Sequence, residues 1–160
     1  MWHEGEDDSL YSLDELMEKY ETSVGRNTNM LLGLVIDRRG LIPDADVKLV
    51  EEYGEAIRKS YGTPLAETKG KGSKLVLSLP SSTVVDRVVL QEEISEGERV
   101  LTWHLEGVKP DGSTAPLCSG TNIGHKRIAR FDPVEVSSLQ LVIDSYKNEP
   151  LIREFAVFQK

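Results

Sequence analysis

A chain of 160 residues has room for one domain of ordinary size, or for a small domain and a piece of another. Its 27 acidic and 19 basic side chains give a net charge of -8, which disfavours nucleic acid as a partner because binding to a phosphate backbone depends on Lys and Arg. No apolar run reaches the roughly 20 residues that span a bilayer, so we expect no role in a membrane.

The first predicted element is an amphipathic helix over residues 9–25. Apolar side chains recur there at three- and four-residue steps, which places them on one face of a helix. Ser12 followed by Glu15 predicts a capping box at the helix start, and Gly25 predicts the stop at its end. A second helix is predicted to start near Pro43 and to run to about Tyr61.

Between the two helices, residues 30–36 read Met-Leu-Leu-Gly-Leu-Val-Ile, an apolar run without alternation. This pattern is typical of a short strand that is covered on both faces, as in a parallel sheet. Such a strand needs neighbouring strands. Helix, buried strand and helix together indicate a slice of α/β architecture.

The pattern changes at residues 62–74, where Gly and Pro interrupt every periodicity, and we place a domain boundary there. Beyond it, alternating apolar residues predict a series of short strands with one buried face. They fall at residues 75–79, 84–90, 101–105, 114–118, 125–131, 134–143 and 151–158. Seven or eight such strands predict an antiparallel sandwich.

The stretch from Ser12 to Val47 resembles the final strand and flanking helices of the catalytic barrel in family 29 α-L-fucosidases. The stretches that begin at Val88, Cys118 and Ile152 resemble the accessory sandwich that follows this barrel. The resemblance implies an α+β chain, in which a helix-strand-helix remnant of a (β/α)8 barrel precedes an antiparallel β-sandwich of the galactose-binding-like or jelly-roll type. Residues 1–62 are then the barrel remnant, 63–74 a linker and 75–160 the sandwich.

The same resemblance implies a retaining glycoside hydrolase that acts on fucosylated glycans. Retention needs two carboxylic groups about 5 to 5.5 Å apart, and the family bears both on segments upstream of the part that matches this chain. We therefore expect no catalytic residue, no cofactor and no turnover by this chain alone, with the sandwich buttressing the barrel. The expected partners are the glycan, through the parent enzyme, and the remainder of the barrel.

Family resemblance alone also implies a periplasmic or secreted location, although no secretory leader opens the chain. Taken alone, the first 60 residues would expose apolar faces. We expect them to pack on the sandwich, to form a homo-oligomer, or to stay poorly ordered.

Trp2 and His3 stand where the family places an aromatic residue and a histidine near the sugar pocket, which implies a contact with the substrate. The alternative is that they are ordinary wall residues. The acidic run from Glu4 to Asp8 is interpreted as a solvated loop before a helix, and not as the catalytic pair.

Other residues that carry chemistry have plainer interpretations. His3, His104 and His125 are too far apart for a local metal motif, so we interpret them as structural or surface groups and predict no metal site. Cys118, the only cysteine, excludes an intrachain disulfide and is expected to be an inert, half-buried thiol. Trp103 is predicted to lie in the core, and residues 120–127 to connect two strands without binding phosphate.

Two rival hypotheses remain. In the first, the sandwich is a stand-alone carbohydrate-binding module, and the helices cap its surface. Against it, the link passes directly into the first predicted strand, without the calcium and ligand loops of the related discoidin-like fold. In the second, the chain is an unrecognised enzyme, which would require a concave pocket with two facing carboxylates.

Overall fold

The structure is a computed structural model that describes residues 10–159. Helices α1 (Leu13–Thr22) and α2 (Asp44–Tyr61) come first. They are followed by strands β1 (Ala66–Lys71), β2 (Lys74–Glu92), β3 (Val100–Val108), β4 (Thr114–Thr121), β5 (Arg127–Tyr146) and β6 (Leu151–Phe158). The predicted α+β class with an antiparallel sandwich is confirmed. No helix within the described range has both the length and the apolar character to cross a bilayer.

The described strands pair in the order β1-β6-β2-β5-β3-β4, and every pairing is antiparallel. Strands β2 and β5 are 19 and 20 residues long and pair with each other. Each takes the place of two short strands predicted from the sequence. The β2–β5 pairing is irregular at two places, between Ser78 and Thr83 and between Val85 and Arg87. Such irregularities bend a strand. The two long strands can therefore bend and still stay paired with each other from one end of the sheet to the other.

These irregularities also correct two predicted core positions. Alternation with the apolar residues that follow places Val84 and Leu101 on the buried faces of their predicted strands, but they are 41% and 43% exposed. Their neighbours Val85 and Val100 are buried instead. A register shift next to each position moves the side chains to the other face, because strand side chains alternate with a period of two.

The sheet has apolar side chains on both faces. The larger cluster is the sandwich core, in which Trp103, Phe155 and Leu105 are fully buried, as predicted for Trp103. A smaller cluster lies on the outer face of β2, β5 and β6 and packs against Tyr20 and Tyr61 of the helices. The expectation that the first 60 residues pack on the sandwich is therefore met by both helices.

Helix α1 starts as the sequence predicts. The Glu15 N–H donates to Ser12 Oγ (3.3 Å), and the Ser12 N–H donates to the Glu15 carboxylate (2.8 Å), which completes the capping box. The helix ends at Thr22, three residues before the predicted limit. Gly25 lies in the following turn, where a Cβ atom would stand 2.4 Å from the Glu21 carbonyl oxygen.

The prediction of a strand at residues 30–36 is wrong for the described chain. These residues join no ladder with any described strand, and Leu31 is 97% exposed. Leu34, Val35 and Ile36 are exposed as well. A strand forms only when a neighbour accepts its backbone hydrogen bonds, and the described strands pair among themselves. We call residues 28–36 the apolar segment.

Residues 66–71, which lie in the predicted linker, form the edge strand β1 and pair with β6. The alternating residues of β1 are polar, with Glu67, Lys69 and Lys71 exposed, so the pattern lacked an apolar face. Charged side chains, Lys above all, are typical of sheet edges, because they discourage pairing with other chains.

Candidate functional site

The residues predicted to contact sugar, Trp2 and His3, lie outside the described residues, as does the acidic run from Glu4 to Asp8. The candidate site that residues 10–159 define is the contact between the helices and the sandwich. It consists of α1, the turn at residues 23–28 and α2, all lying against the outer face of β2, β5 and β6. We call it the helix–sandwich junction.

Aromatic rings form the apolar centre of the junction. The Tyr61 ring lies 5.9 Å from that of Tyr20 and 5.8 Å from that of Phe158, measured between centroids. Val89, Ile128 and Ala156 complete the buried sheet surface beneath them. Large aromatic side chains bury much apolar area, so this contact holds both helices on the sheet.

A polar network surrounds these rings. The Tyr61 hydroxyl (2.5 Å) and the Arg130 guanidinium both donate to the Glu21 carboxylate, which joins α1, α2 and β5. Burial, together with this carboxylate, raises the pKa of Tyr61 to about 12, so the phenol remains a donor at neutral pH. A groove of about 770 Å³ opens beside the network, but its arginines are already engaged, Arg130 by Glu21 and Arg87 by Asp86 (2.8 Å).

A second cleft, of about 610 Å³, lies between β1, β2 and β6 and contains two carboxylates, Glu67 and Glu154. Burial raises the pKa of the Glu154 carboxyl. However, this group accepts a hydrogen bond from the buried Gln91 amide, whose oxygen in turn accepts one from Arg153. Glu67 is exposed on the edge strand. Gln91, Arg153 and Glu154 thus form one hydrogen-bonded row, and Glu67 has a different, exposed environment.

The buried Glu92 carboxylate clamps two loops of the sandwich. Its Oε1 accepts the N–H groups of Arg99 (2.8 Å) and Val100 (3.0 Å), and its Oε2 accepts that of Gly124 (2.8 Å). The β2–β3 and β4–β5 loops are therefore tied to one side chain, which is only 1% exposed. Sequence reasoning missed Glu92, because a glutamate at the end of an apolar run also fits an exposed strand end.

The described histidines do not come together. His104 lies on β3, where its Nδ1 is 2.8 Å from an Asp144 carboxylate oxygen. His125 lies in the β4–β5 loop, where its backbone N–H donates to Asn27. Within residues 10–159, no three His, Cys, Asp or Glu side chains are placed to hold a metal ion.

Cys118 and Trp103 occupy the positions that the sequence predicts. Cys118 is half-buried on β4, and burial raises the pKa of its thiol to about 11, so the reactive thiolate is scarce at neutral pH. The Trp103 indole N–H donates to the Asn122 carbonyl (3.2 Å). Because the ring itself is buried, its face is not available as a sugar platform. Residues 122–126 connect β4 to β5, as predicted for this stretch.

Known proteins that resemble this chain match it over nearly its whole length. No protein-family model matches it. The chain is 30% identical to α-L-fucosidase 1 of Arabidopsis thaliana, over 98% of its own length and 38% of that protein's. A crystal structure from Bacteroides thetaiotaomicron, assigned as an α-L-fucosidase, matches with a TM-score of 0.97 and 35% identity, over 99% of this chain and 37% of that one.

A further solved structure, of a glycoside hydrolase 29 family member from an unknown rumen bacterium, is 30% identical, with a TM-score of 0.87. The match covers 99% of this chain and 30% of that chain. The chain thus spans less than two fifths of the length of the curated relatives that it matches.

Proposed function

This chain corresponds to a C-terminal part of the α-L-fucosidases of glycoside hydrolase family 29, and we propose that it supplies the end of their catalytic barrel and the sandwich that supports it. In this proposal, residues 1–62 complete the barrel, the sandwich takes 75–160 together with the edge strand β1, and the rest of 63–74 links the two parts. The parent enzyme hydrolyses fucosylated glycans with retention, in the periplasm or outside the cell. Trp2 and His3 line its sugar pocket.

The observation that carries this proposal is the exposed apolar segment. Its run of Leu31, Leu34, Val35 and Ile36 has the pattern of a strand buried on both faces, yet all four side chains face solvent. Leu41, Ile42 and Val47, which follow it, are exposed as well. An apolar surface of this kind marks an interaction site, and the remaining strands of a parallel barrel would cover it.

The chain's share of the reaction follows from how a barrel site is built. Active-site residues of such barrels come from loops at the C-terminal ends of several strands, and within residues 10–159 only the apolar segment has the sequence pattern of one. Retaining hydrolysis further requires a nucleophile and an acid about 5 to 5.5 Å apart. In the cleft with Glu67 and Glu154, one carboxylate is bonded to Gln91 and the other lies exposed on the edge strand, which is unlike the enclosed pocket of a glycosidase. The chain therefore supports a site whose reacting groups lie elsewhere.

The first prediction concerns activity. The purified 160-residue chain should release no phenol from an aryl α-L-fucoside above the buffer background, because it supplies neither carboxyl group. Continuous absorbance measurement of the released phenol provides the test, with a full-length family 29 fucosidase as the positive control. Turnover that persists through repeated purification, and that is lost in a Glu154→Gln variant, would contradict the proposal.

The second prediction concerns the apolar segment. Leu31→Lys should change the free energy of unfolding by less than about 0.5 kcal/mol, because the side chain has almost no contacts to lose. The same substitution should reduce self-association, measured by sedimentation velocity over a concentration series. Leu16→Ala is the matched control: Leu16 is 1% exposed, so its loss should cost about 2–5 kcal/mol. A comparable loss of stability at Leu31 would mean that the segment is already covered.

The supporting role proposed for the sandwich is consistent with the burial of Trp103, since a sugar platform requires an accessible ring face. The rival hypothesis of a stand-alone carbohydrate-binding module stays a prediction. Calorimetric titration of the chain with fucosylated oligosaccharides separates the two, because saturable heat would favour the module.

A further inference from the structure

The turn at residues 23–28 joins the helices to the apolar segment, and it is built onto the start of β5. The Ile128 N–H donates to the Gly25 carbonyl (2.8 Å), and the Asn27 N–H donates to the Lys126 carbonyl (2.9 Å). Arg26 lies opposite Arg127 in an antiparallel bridge between these two bonds. The turn therefore continues the sheet for a single residue pair, directly before the chain leaves it.

The Asn27 side chain then reaches both of the loops that Glu92 clamps. Its Oδ1 accepts the His125 N–H (2.6 Å) in the β4–β5 loop, and its Nδ2 donates to Glu98 Oε1 (2.6 Å) in the β2–β3 loop. Asn27 has a φ of 65°, in the left-handed region that Asn tolerates better than most residues. One amide thus fixes the last residue before the apolar segment against two loops of the sandwich.

The helices have contacts of their own with the sheet. Tyr20 and Tyr61 pack on the sheet, and Glu21 binds Arg130, all on the helix side of the turn. The Asn27 amide lies at the other side, where the chain departs. Its geometric effect is therefore on the direction of the residues that follow.

We propose that Asn27 is a positioning residue through which the two sandwich loops set the direction of the apolar segment. This inference rests on the proposed function, which assigns that segment to the catalytic barrel. The sandwich then does more than cover apolar surface. Glu92 fixes the two loops, and Asn27 passes their geometry on to the apolar segment.

Asn27→Asp separates this role from simple packing, since Asp keeps the size of Asn and can still accept the His125 N–H. It cannot donate to Glu98, and two carboxylates would face each other at hydrogen-bond distance, which is strongly unfavourable. Adding Glu98→Gln supplies a donor on the other side and restores the bond with its polarity reversed. Glu98→Gln alone keeps an acceptor for Asn27 and serves as the control.

The readout is a distance between two spin labels, measured by double electron-electron resonance. One label at Asn29→Cys reports the departing chain, and one at the exposed Val76→Cys reports the sandwich, both in a Cys118→Ala background. We expect a narrow distribution for the background, about twofold broadening for Asn27→Asp, and a return to the original width when Glu98→Gln is added.

Two results would overturn the proposal. One is an Asn27→Asp distribution as narrow as that of the background. The other is a double variant as broad as Asn27→Asp although its circular dichroism matches that of the folded background. Neither result depends on fucoside hydrolysis, so a failure of the proposed function would be recognised separately in the activity assay.

Discussion

Replacing Glu92 by Ala should lower the free energy of unfolding by about 3 kcal/mol or more, one of the largest single-residue losses that we expect for this chain. The substitution leaves the N–H groups of Arg99, Val100 and Gly124 without their acceptor. Each buried donor left without a partner costs about 1–3 kcal/mol. Urea unfolding followed by circular dichroism measures the loss.

Glu93→Ala is the matched control, because Glu93 is the next residue, carries the same charge and is exposed. Its carboxylate accepts one exposed N–H, from Ser95 (3.1 Å). We expect a change within about 0.5 kcal/mol for this variant. Equal losses for the two variants would show that the Glu92 clamp contributes nothing beyond its charge.

Gly124→Ala should cost about 2–4 kcal/mol, for two separate reasons. Gly124 has a φ of +61°, where an L-residue costs roughly 1–2 kcal/mol. In addition, a Cβ atom would lie 2.2 Å from Asn27 Nδ2, so the Asn27 amide must leave its position. The lost hydrogen bond to the charged Glu98 adds about 1.5–3 kcal/mol, part of which water recovers.

Gly112 offers the comparison that isolates the second cause. It has a φ of +84°, and a Cβ atom there would meet nothing within 4 Å. Gly112→Ala should therefore show the backbone cost alone, about 1–2 kcal/mol. Thermal and denaturant unfolding of both variants give the difference. If Gly124→Ala is no more destabilising than Gly112→Ala, the Asn27 contact is energetically unimportant.

The features that follow from local patterns could be predicted from the sequence. The capping box of Ser12 and Glu15 depends on residues three apart, and the second helix depends on its own periodicity. Trp103 is buried because it alternates in phase with Leu105 within one strand. Each of these predictions requires no knowledge of what the segment packs against.

The long strands show where local patterns fail. Pro80 and Pro133 directly border the strands predicted at residues 75–79 and 134–143, but both lie within the long strands, where the β2–β5 register shifts and a proline needs no ladder hydrogen bond. For the apolar segment the error is the opposite one, a strand predicted where none forms. Its pattern is that of a strand, but strand pairing depends on partners that residues 10–159 do not supply.

The individual contacts of the junction could not be predicted, for a third reason. The two side-chain bonds of Asn27 join residues that are 71 and 98 positions apart, and one of the partners is a backbone N–H, which leaves no mark in the sequence. Glu92 binds three such backbone groups. The sugar-contacting residues implied by family resemblance, Trp2 and His3, stay predictions, because they lie outside the described residues.

The position of β6 has a consequence for biosynthesis. This last described strand is inserted between β1 and β2, which are adjacent in sequence but separated by it in the sheet. Until the ribosome has released residues up to 158, this gap stays open and Tyr61 lacks the Phe158 ring. Helix α2, although made much earlier, therefore completes its packing on the sheet only when β6 has been added. Until then the open sheet exposes apolar surface, which chaperones shield during translation.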